Sequence, residues 1–543
     1  MAELIGEIEF SGGGEEFPGI CVAPSAVAFG AEEMAARLSD LSRPLWVAGD
    51  EKRAGLAFAV PEALAPAGVG LPLLAAAPAL PMSNLGDPAF LTEHGLRFPL
   101  YSGAMANGIA SALMVTEMGR AGFMGSFGAA GLTPARVEEA IAAVQRGLPQ
   151  GPYAFNLINS PMEPGLEEAV VSLYLARGVR CVEAAAYMAL TPAVVRYRAA
   201  GLSEEHGEIV AKNRIIAKVS RREVASPFME PAPERILSKL VAEGSISPLQ
   251  AELAKRVPMA SDVTVEADSG GHTDNRPLVA ILPSILALRD ELQARHGFPK
   301  PVRVGAAGGI ATPQAALAAF MMGAAYVVTG SVNQSCVEAG ASAHTKRLLA
   351  QADMADVAMA PAADMFEMGG KVQVLKRGTF FSVRAQKLHD LYTRHESLDE
   401  IPPAEREKLE TQVFKKPIGS VWAETRAFFL SRAPEILARA EGHPKRQMAL
   451  IFRWYLGLAS RWSNTGEPGR EMDYQIWCGP AMGSFNDWTR GTYLEAPENR
   501  RVVDVALQIL TGTAYLMRVR SAMAQGLSLP PRLQSYQVTQ PLA

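Results

Sequence analysis

From Phe98 onward, short apolar runs alternate with stretches of helical length and helical patterning. The runs are Phe98–Ser102, Phe123–Phe127, Tyr153–Ile158, Arg180–Ala185, Arg214–Val219, Asp262–Ala267, Val302–Ala306 and Tyr326–Thr329. Between and after them lie Ala110–Ala121, Pro134–Arg146, Gly165–Arg177, Pro192–Ala200, Pro231–Ala242, Leu278–His296, Pro313–Met322 and Cys336–Ala350. Three of these stretches open on Thr-Pro, at Thr133-Pro134, Thr191-Pro192 and Thr312-Pro313. That pair is a helix-start signal, because proline occupies a first position whose N–H would lack a partner anyway. Strands alternating with helices form a parallel sheet, and eight repeats predict an α/β fold closed into a (β/α)8 TIM barrel.

The flanks read differently. Residues 1–95 are rich in Ala, Pro and Gly and predict a small α/β appendage with one helix (Ala31–Ser42) and one strand (Arg43–Ala48). The barrel is expected over 96–382, where Met365–Ser382 reads as a glycine-punctuated loop holding at most a short strand. Met354–Met368 reads as methionine-rich loop packing. Helical periodicity then dominates, predicting a helical insertion over 383–465 with Trp422, Phe428, Phe429, Trp454 and Tyr455 in its core. A C-terminal segment, 466–543, is expected to pack back on the barrel, with Cys478–Trp488 as a loop and Val502–Met523 as a last helix.

Composition narrows the class. The 543 residues are 48% hydrophobic and 20% charged, a globular balance with ample core. A formal charge of −4 gives no electrostatic case for nucleic acid. The four cysteines, Cys21, Cys181, Cys336 and Cys478, are far apart and fit a reducing compartment. No basic-then-apolar leader is present at the start of the chain. The most apolar run, Leu71 to Met82, is broken by Pro72, Pro78 and Pro81 and falls short of the ~20 residues a membrane helix needs. The expectation is a soluble, cytoplasmic protein with no membrane contact.

In such a barrel, reactive groups sit at the C-terminal ends of the strands. Those ends carry Gly103-Ala-Met-Ala-Asn107, Gly128, Asn156, Glu183, Lys218, Glu266 with Ser269-Gly-Gly-His272, Gly308-Gly309, and Gly330-Ser331. Small residues at the last three ends let a phosphate approach backbone N–H groups; the same residues also serve tight turns. Acid–base groups are few, which suits a flat aromatic cofactor over the mouth. Asn156 can bond the polar edge of a flavin, and Lys218 can stabilise negative charge near its reduced N1–C2 region. No GxGxxG fingerprint opens a βαβ unit, so FMN fits better than FAD. Other readings stand beside these: Lys218 paired with Glu183 or Glu266, Asn156 capping a turn, and His272 as a plain loop histidine.

Gly103-Ala-Met-Ala-Asn-Gly-Ile-Ala-Ser111, Gly125-Ser-Phe-Gly-Ala-Ala-Gly131, Glu266-Ala-Asp-Ser-Gly-Gly-His-Thr-Asp-Asn-Arg-Pro277 and Gly305-Ala-Ala-Gly-Gly-Ile310 resemble the PfaD-type trans-acting enoyl reductases. That group serves polyunsaturated fatty acid and polyketide synthases and is a branch of the nitronate monooxygenase-like flavin barrels. The similarity runs from about Gly86 to the end and includes Gly479-Pro-Ala-Met-Gly-Ser-Phe-Asn486. It implies FMN as cofactor, NADPH as hydride donor and an α,β-unsaturated thioester on an acyl carrier protein as substrate. Acyl carrier protein and synthase components are the implied partners, with a homo-oligomer left open and no metal. The cofactor-binding set is then Gly103, Ala104, Met105, Asn156, Lys218, Glu266, Gly270, Gly271, Gly308, Gly309, Gly330 and Ser331. Of these, Gly271, Gly308, Gly309, Gly330 and Ser331 match positions near the phosphate, and Ala104, Met105, Asn156 and Lys218 positions near the ring.

His272 matches the histidine that related barrels place over the flavin, where it is the base in nitronate oxidation. In a reductase it becomes the first candidate to polarise the thioester carbonyl or deliver the proton. Tyr187, just beyond the fourth strand, is the second catalytic candidate, against a reading as a packing aromatic. A flavin oxidase of the nitronate monooxygenase kind and a non-catalytic synthase scaffold are the alternatives. The helical insertion could form a tunnel, dock the carrier protein or only stabilise the fold; Lys415, Lys416, Lys445 and Arg446 are the basic residues that could meet an acidic partner.

Overall fold

The computed structural model describes residues 20–50, 53–66, 68–159, 164–525 and 527–543; residues 1–19 of the expected appendage lie outside them. Eight parallel strands form a closed barrel: β1 (Leu100–Ser102), β2 (Met124–Phe127), β3 (Ala154–Ile158), β4 (Cys181–Ala185), β5 (Arg214–Val219), β6 (Asp262–Glu266), β7 (Arg303–Ala307) and β8 (Val327–Thr329). Each strand pairs with its sequence neighbours, and β8 closes on β1 through Val327↔Leu100, Val328↔Tyr101 and Thr329↔Ser102. The strands are buried on both faces, which is why they read as near-continuous apolar runs: Ile215, Ile216, Val263, Val265 and Val304 are almost fully covered.

The helix starts follow the hydroxyl–proline signal. Thr133, Thr191 and Thr312 each accept a hydrogen bond from the amide three residues on, at Arg136, Val194 and Ala315, with proline in the first turn. Between the helix Pro192–Ala200 and β5 the chain inserts a hairpin, Leu202–Glu205 against Glu208–Ala211. Its two-residue turn, His206-Gly207, has positive φ at both positions (53° and 83°), the requirement of a type I′ hairpin. Between β5 and β6 the chain forms three helices, Arg222–Met229, Glu234–Ala242 and Pro248–Ala254, where one was expected.

Past the barrel, β9 (Val357–Pro361) and β10 (Lys371–Leu375) pair antiparallel. The two-residue strand Gly271–His272 adds to the other edge of β10, giving a three-stranded sheet. The stretches read as loop over 354–382 therefore contain two strands. The helical region consists of Phe381–Arg394, Pro403–Lys408, Ile418–Arg432, Pro434–Ala440 and Pro444–Thr465. Phe429, Ile436, Leu437 and Leu450 share a buried cluster with Trp422 against it, and Tyr455 is fully buried. Phe428, expected in that core, is half exposed, because it sits one position off the buried stripe that carries Phe429. The stretch read as a loop over 478–488 holds a helix, Ala481–Thr489.

A second compact unit comprises the described residues up to 99, then 312–326 and 503–543. Its antiparallel sheet runs in the order Ala54–Phe58, Leu45–Gly49, Leu71–Ala77, Cys21–Val22, Leu64–Ala65. Alanine-rich strands, proline-interrupted as in Leu71–Ala77, conceal this sheet in the sequence. The helix Val502–Ala524 supplies Leu516, Val519 and Ala522 to the same core as Met34, Leu38, Leu45, Val47 and Leu56. The expected 466–543 block is thus shared, its last forty-odd residues belonging with the N-terminal sheet. Among the described residues this helix alone is long and apolar enough to cross a membrane, with a mean hydropathy of 1.3, but 78% of that window is buried inside the protein, as in a core helix.

One buried cation ties this unit together. Arg518 is fully buried, and its guanidinium donates to the carbonyls of Asp40 (2.7 Å), Arg43 (2.7 Å) and Pro78 (3.2 Å), gathering the end of the helix Ala31–Ser39 and the strand that follows. Arg518→Ala would take these donors away and leave a cavity where the buried guanidinium stood. The variant is expected to lose about 3 kcal/mol of stability, read as a lowered midpoint in chemical denaturation; an unchanged midpoint would remove Arg518 from this role.

Candidate active site

At the barrel mouth, strand register brings three charges together. Lys218 on β5 faces Glu183 on β4 and Glu266 at the end of β6. Its Nζ lies 2.8 Å from Glu266 Oε1 and 3.5 Å from Glu183 Oε1. Glu183 is fully buried, and its Oε2 accepts from the Ala104 amide at 2.9 Å, in the loop after β1. Burial alone would pull the Lys218 ammonium down, but Glu266 and Glu183 outweigh it and hold the group well above the ordinary lysine range. Lys218 is therefore charged and stands between the two carboxyl groups. Both readings offered for Lys218 meet here: it stands at the mouth and it is ion-paired. Glu183, at a strand end but outside the expected binding set, is the centre of the group.

Asn156 on β3 is buried and donates from Nδ2 to the Glu183 carbonyl at 3.0 Å, bracing β3 against β4. The Gly103 amide donates to the Thr329 carbonyl at 3.0 Å, where a Cβ would meet Val328 at 2.9 Å. A Cβ on Gly128 would fall 1.6 Å from the Met105 carbonyl oxygen, so the loop 103–105 lies directly on the end of β2.

The polar residues of the 266–277 segment are engaged one by one. Asp268 accepts from Gln373 Nε2 (2.7 Å) and Asn275 Nδ2 (2.9 Å). Asp274 takes two bonds from Arg221 (2.8 and 3.0 Å) and one from Ser220 (2.6 Å); the Arg221 hydrogen bond keeps its carboxyl below the usual range. His272 lies in the short strand paired to β10, with 40% of its side chain exposed, and its Nε2 is 3.1 Å from Asp364 Oδ1. Burial pulls the imidazole down, but the Asp364 hydrogen bond and charge, with Glu266 beyond, bring it above the ordinary histidine value. Gln373 and Asp364 are site residues that sequence reasoning missed; they stand about a hundred residues along the chain in a stretch with no motif.

The glycine-rich strand ends divide into two kinds. A Cβ on Gly270 would meet the Cys478 amide nitrogen at 2.8 Å, and one on Gly479 would meet Gly270 at the same distance. Trp477 covers Gly271, and the Gly479 amide donates to Ser331 Oγ at 3.1 Å. Gly270, Gly271 and Ser331 are thus occupied by the 477–479 segment crossing above them. Gly309 and Gly330 face open space, with nothing within 4 Å of a Cβ, and Gly308 (φ 82°) lies against the backbone of Ala267.

Tyr187 departs from its catalytic candidacy. It is buried, packs edge-on against Phe228, and donates its hydroxyl to Glu167 Oε1 at 2.8 Å; Glu167 also accepts from Asn159 and Thr191. Burial and Glu167 push the phenol well above its ordinary value. Its proton is committed to a structural carboxylate. The basic residues of the insertion are also engaged: Lys415 with Asp473, Lys416 with Glu424, Lys445 with the carbonyls of Tyr392 and His395, and Arg446 with that of Arg439.

Comparison with known proteins places this geometry in a family. Residues 89–377 match the nitronate monooxygenase family model, and residues 395–474 match the inserted helical domain of [acyl-carrier-protein] S-malonyltransferase. A solved structure, the enoyl reductase domain of MlnA from the macrolactin biosynthesis cluster of Bacillus amyloliquefaciens, is 37% identical with a TM-score of 0.78, over 82% of this chain and 100% of that one. The chain belongs to the PfaD-type enoyl reductases of the nitronate monooxygenase family. This enoyl reductase family member is 53% identical over 448 residues to a polyunsaturated fatty acid synthase polypeptide of Thraustochytrium sp., covering 81% of this chain and 30% of that one. It is 44% identical over 439 residues to the polyketide biosynthesis protein PksE of Bacillus subtilis, covering 80% and 57%. The chain therefore spans well under two thirds of either curated relative.

The charge cluster makes a direct prediction for this family member. Lys218→Met removes the counter-charge from two carboxylates, one fully buried, and should cost roughly 3–5 kcal/mol near neutral pH. Denaturation midpoints measure the deficit. Adding Glu183→Gln should recover part of the loss at neutral pH. A single variant as stable as the native protein would show that Lys218 is not what compensates Glu183.

Proposed function

We propose that the protein reduces the α,β-double bond of enoyl thioesters carried on an acyl carrier protein, with FMN bound at the barrel mouth and NADPH as hydride source, acting in trans for a polyketide or polyunsaturated fatty acid synthase. One observation carries the reading: open glycine rims, a charged lysine and a half-exposed histidine converge at the mouth of a barrel 37% identical to an enoyl reductase domain. The match of 395–474 to the inserted domain of a carrier-protein transacylase supports the acyl carrier protein as the bearer of the substrate.

The residues fit a flavin mononucleotide. Gly308, Gly309 and Gly330 would admit its phosphate to the backbone, since the last two leave room that no side chain fills. Ala104, Met105, Asn156 and Lys218 would border the ring. When bound, FMN supplies the carrier that accepts hydride from the nicotinamide and passes it to the substrate. Held between Glu266 and Glu183, Lys218 would offer the ring edge a directed N–H. An ammonium has three donors, and Glu266 takes one at 2.8 Å, with Glu183 at an ion-pair distance of 3.5 Å. His272 would polarise the thioester carbonyl or hand a proton to the α-carbon.

The test begins with the visible spectrum of the purified protein, followed by anaerobic addition of NADPH and then a crotonyl-type thioester. A yellow protein bleached by NADPH and recoloured by the thioester is expected. NADPH oxidation that ignores the thioester and instead requires O2 and a nitronate would overturn the reading, as would a colourless protein that cannot be reconstituted with FMN. His272→Ala should lower turnover about a hundredfold or more with bound flavin retained; unchanged turnover would remove His272 from the reaction.

A further inference from the structure

The short strand Gly271–His272 is held by backbone pairing to β10, so the position of the imidazole is set by a sheet rather than by a free loop. The ring reaches Asp364, three residues past the end of β9, and the contact is made at Nε2 (3.1 Å to Oδ1). The surrounding charges all act on this pair. Glu266 adds its pull on His272 from the end of β6. Arg453, on the helix Pro444–Thr465, acts on Asp364 and forms an ion pair with Glu367 at 3.7 Å. Although burial pushes the Asp364 carboxyl up, its hydrogen bond with His272, the charges of His272 and Arg453 and a backbone hydrogen bond keep it below the usual aspartate value, so it stays a carboxylate.

The geometry points to Asp364 as the positioning residue for His272: its carboxylate accepts the Nε2–H, fixes the plane of the ring and leaves a protonated Nδ1 as the group that meets the substrate. The inference rests on the enoyl reductase reading above. Hydride addition to the β-carbon, the chemistry that a bound flavin and its nicotinamide donor would supply, would move the π pair of the double bond to the α-carbon. The Nδ1–H bond breaks and a C–H bond forms at the α-carbon. The imidazole is left neutral and regains its proton from water; Asp364 neither gains nor loses one. Nitronate oxidation demands the opposite state, an imidazole with Nδ1 empty to accept a proton. A carboxylate at Nε2 serves both states, leaving Nδ1 free on the neutral ring and protonated on the imidazolium; proton delivery uses the second.

The sign of the pH effect follows. His272 titrates above its ordinary value because of Asp364, so the competent form is lost as pH rises through that raised value, and removing the carboxylate brings the loss to lower pH. Asp364→Asn and Asp364→Glu would be made in the full-length protein; the Asp364 side chain is 59% exposed, so neither change threatens folding. Two readouts are needed: the NMR titration of labelled histidine rings, with His272→Gln for assignment, and the pH profile of kcat/KM with a crotonyl thioester. In Asp364→Asn the His272 titration and the alkaline limb should both move to lower pH. Its kcat/KM at pH 8 should fall roughly tenfold, a part of the effect of a positioned acid, with flavin content and reduction by NADPH unchanged. Asp364→Glu should restore most of the profile. An unmoved His272 titration would overturn the assignment, and a moved titration beside an unmoved limb would overturn the proton-delivery step. Native protein that consumes no enoyl thioester would sink the reductase reading and proton delivery with it, while a moved titration would still show that Asp364 governs His272.

Discussion

Lys218 is an ammonium set inside a barrel, and the mouth is organised around keeping it there. An uncompensated charge at that depth would be neutralised or would destabilise the fold. Glu266 answers from β6 and Glu183 from β4, and Glu183 passes the constraint to the Ala104 amide after β1. Four strand ends are thus tied through one side chain. A carboxylate whose oxygens are divided between an ammonium and a backbone N–H cannot turn without leaving one of them unpaired. Ion pairs of this kind contribute little net stability, because desolvation offsets the attraction. What they supply is geometry, since the loop 103–105 has a set height above the barrel as long as Glu183 holds Ala104.

A second layer sits on the first. The sheet of β9, β10 and Gly271–His272 is built from chain that follows the barrel, and it takes hold of the segment leaving β6. Gln373 on β10 bonds both Asp268 and the Ser269 carbonyl, while Arg221 after β5 grips Asp274. The histidine therefore owes its position to strands about a hundred residues away, and the charge on its partner Asp364 is felt from the helical region through Arg453. The post-barrel chain is part of the mouth in a physical sense: without it, Asp268 loses Gln373 and His272 loses Asp364.

This division explains what could be read in advance. The barrel strands were legible because burial on both faces makes them apolar throughout, and the helices because Thr-Pro caps recur at their starts. Features that depend on contacts across long sequence distances were not. The Asp364–His272 contact spans 92 residues with no periodic trace. The strands β9 and β10 are short and sit among methionines and glycines, so they read as loop. The hairpin at 202–211 did carry a local sign, His206-Gly207 between alternating residues, but a two-strand excursion between a helix and a barrel strand was masked by the stronger alternation around it. The N-terminal sheet is made of alanine-rich strands with little β-branching, and Tyr515, Leu516, Val519 and Ala522 of its core arrive from a helix some 450 residues later.

The glycines at the mouth show why a motif alone cannot assign a role. Gly270 and Gly479 are small because two backbones cross at that point, and a Cβ on either would strike the other chain segment. The sequence signal at Gly330 looks the same, but its setting is the reverse. Its φ is −132°, outside the left-handed region that favours glycine, and no atom of the protein lies within 4 Å of where a Cβ would be. Packing does not call for glycine there, while its ψ of −82° at that φ lies outside the helical and extended regions. Gly309, also facing open space, has at least its φ of 76° as an internal reason. Gly330 thus leaves its backbone open at the end of β8. The same residue type therefore serves a backbone crossing at Gly270 and an open strand end at Gly330, and the proposed cofactor phosphate would suit only the second setting.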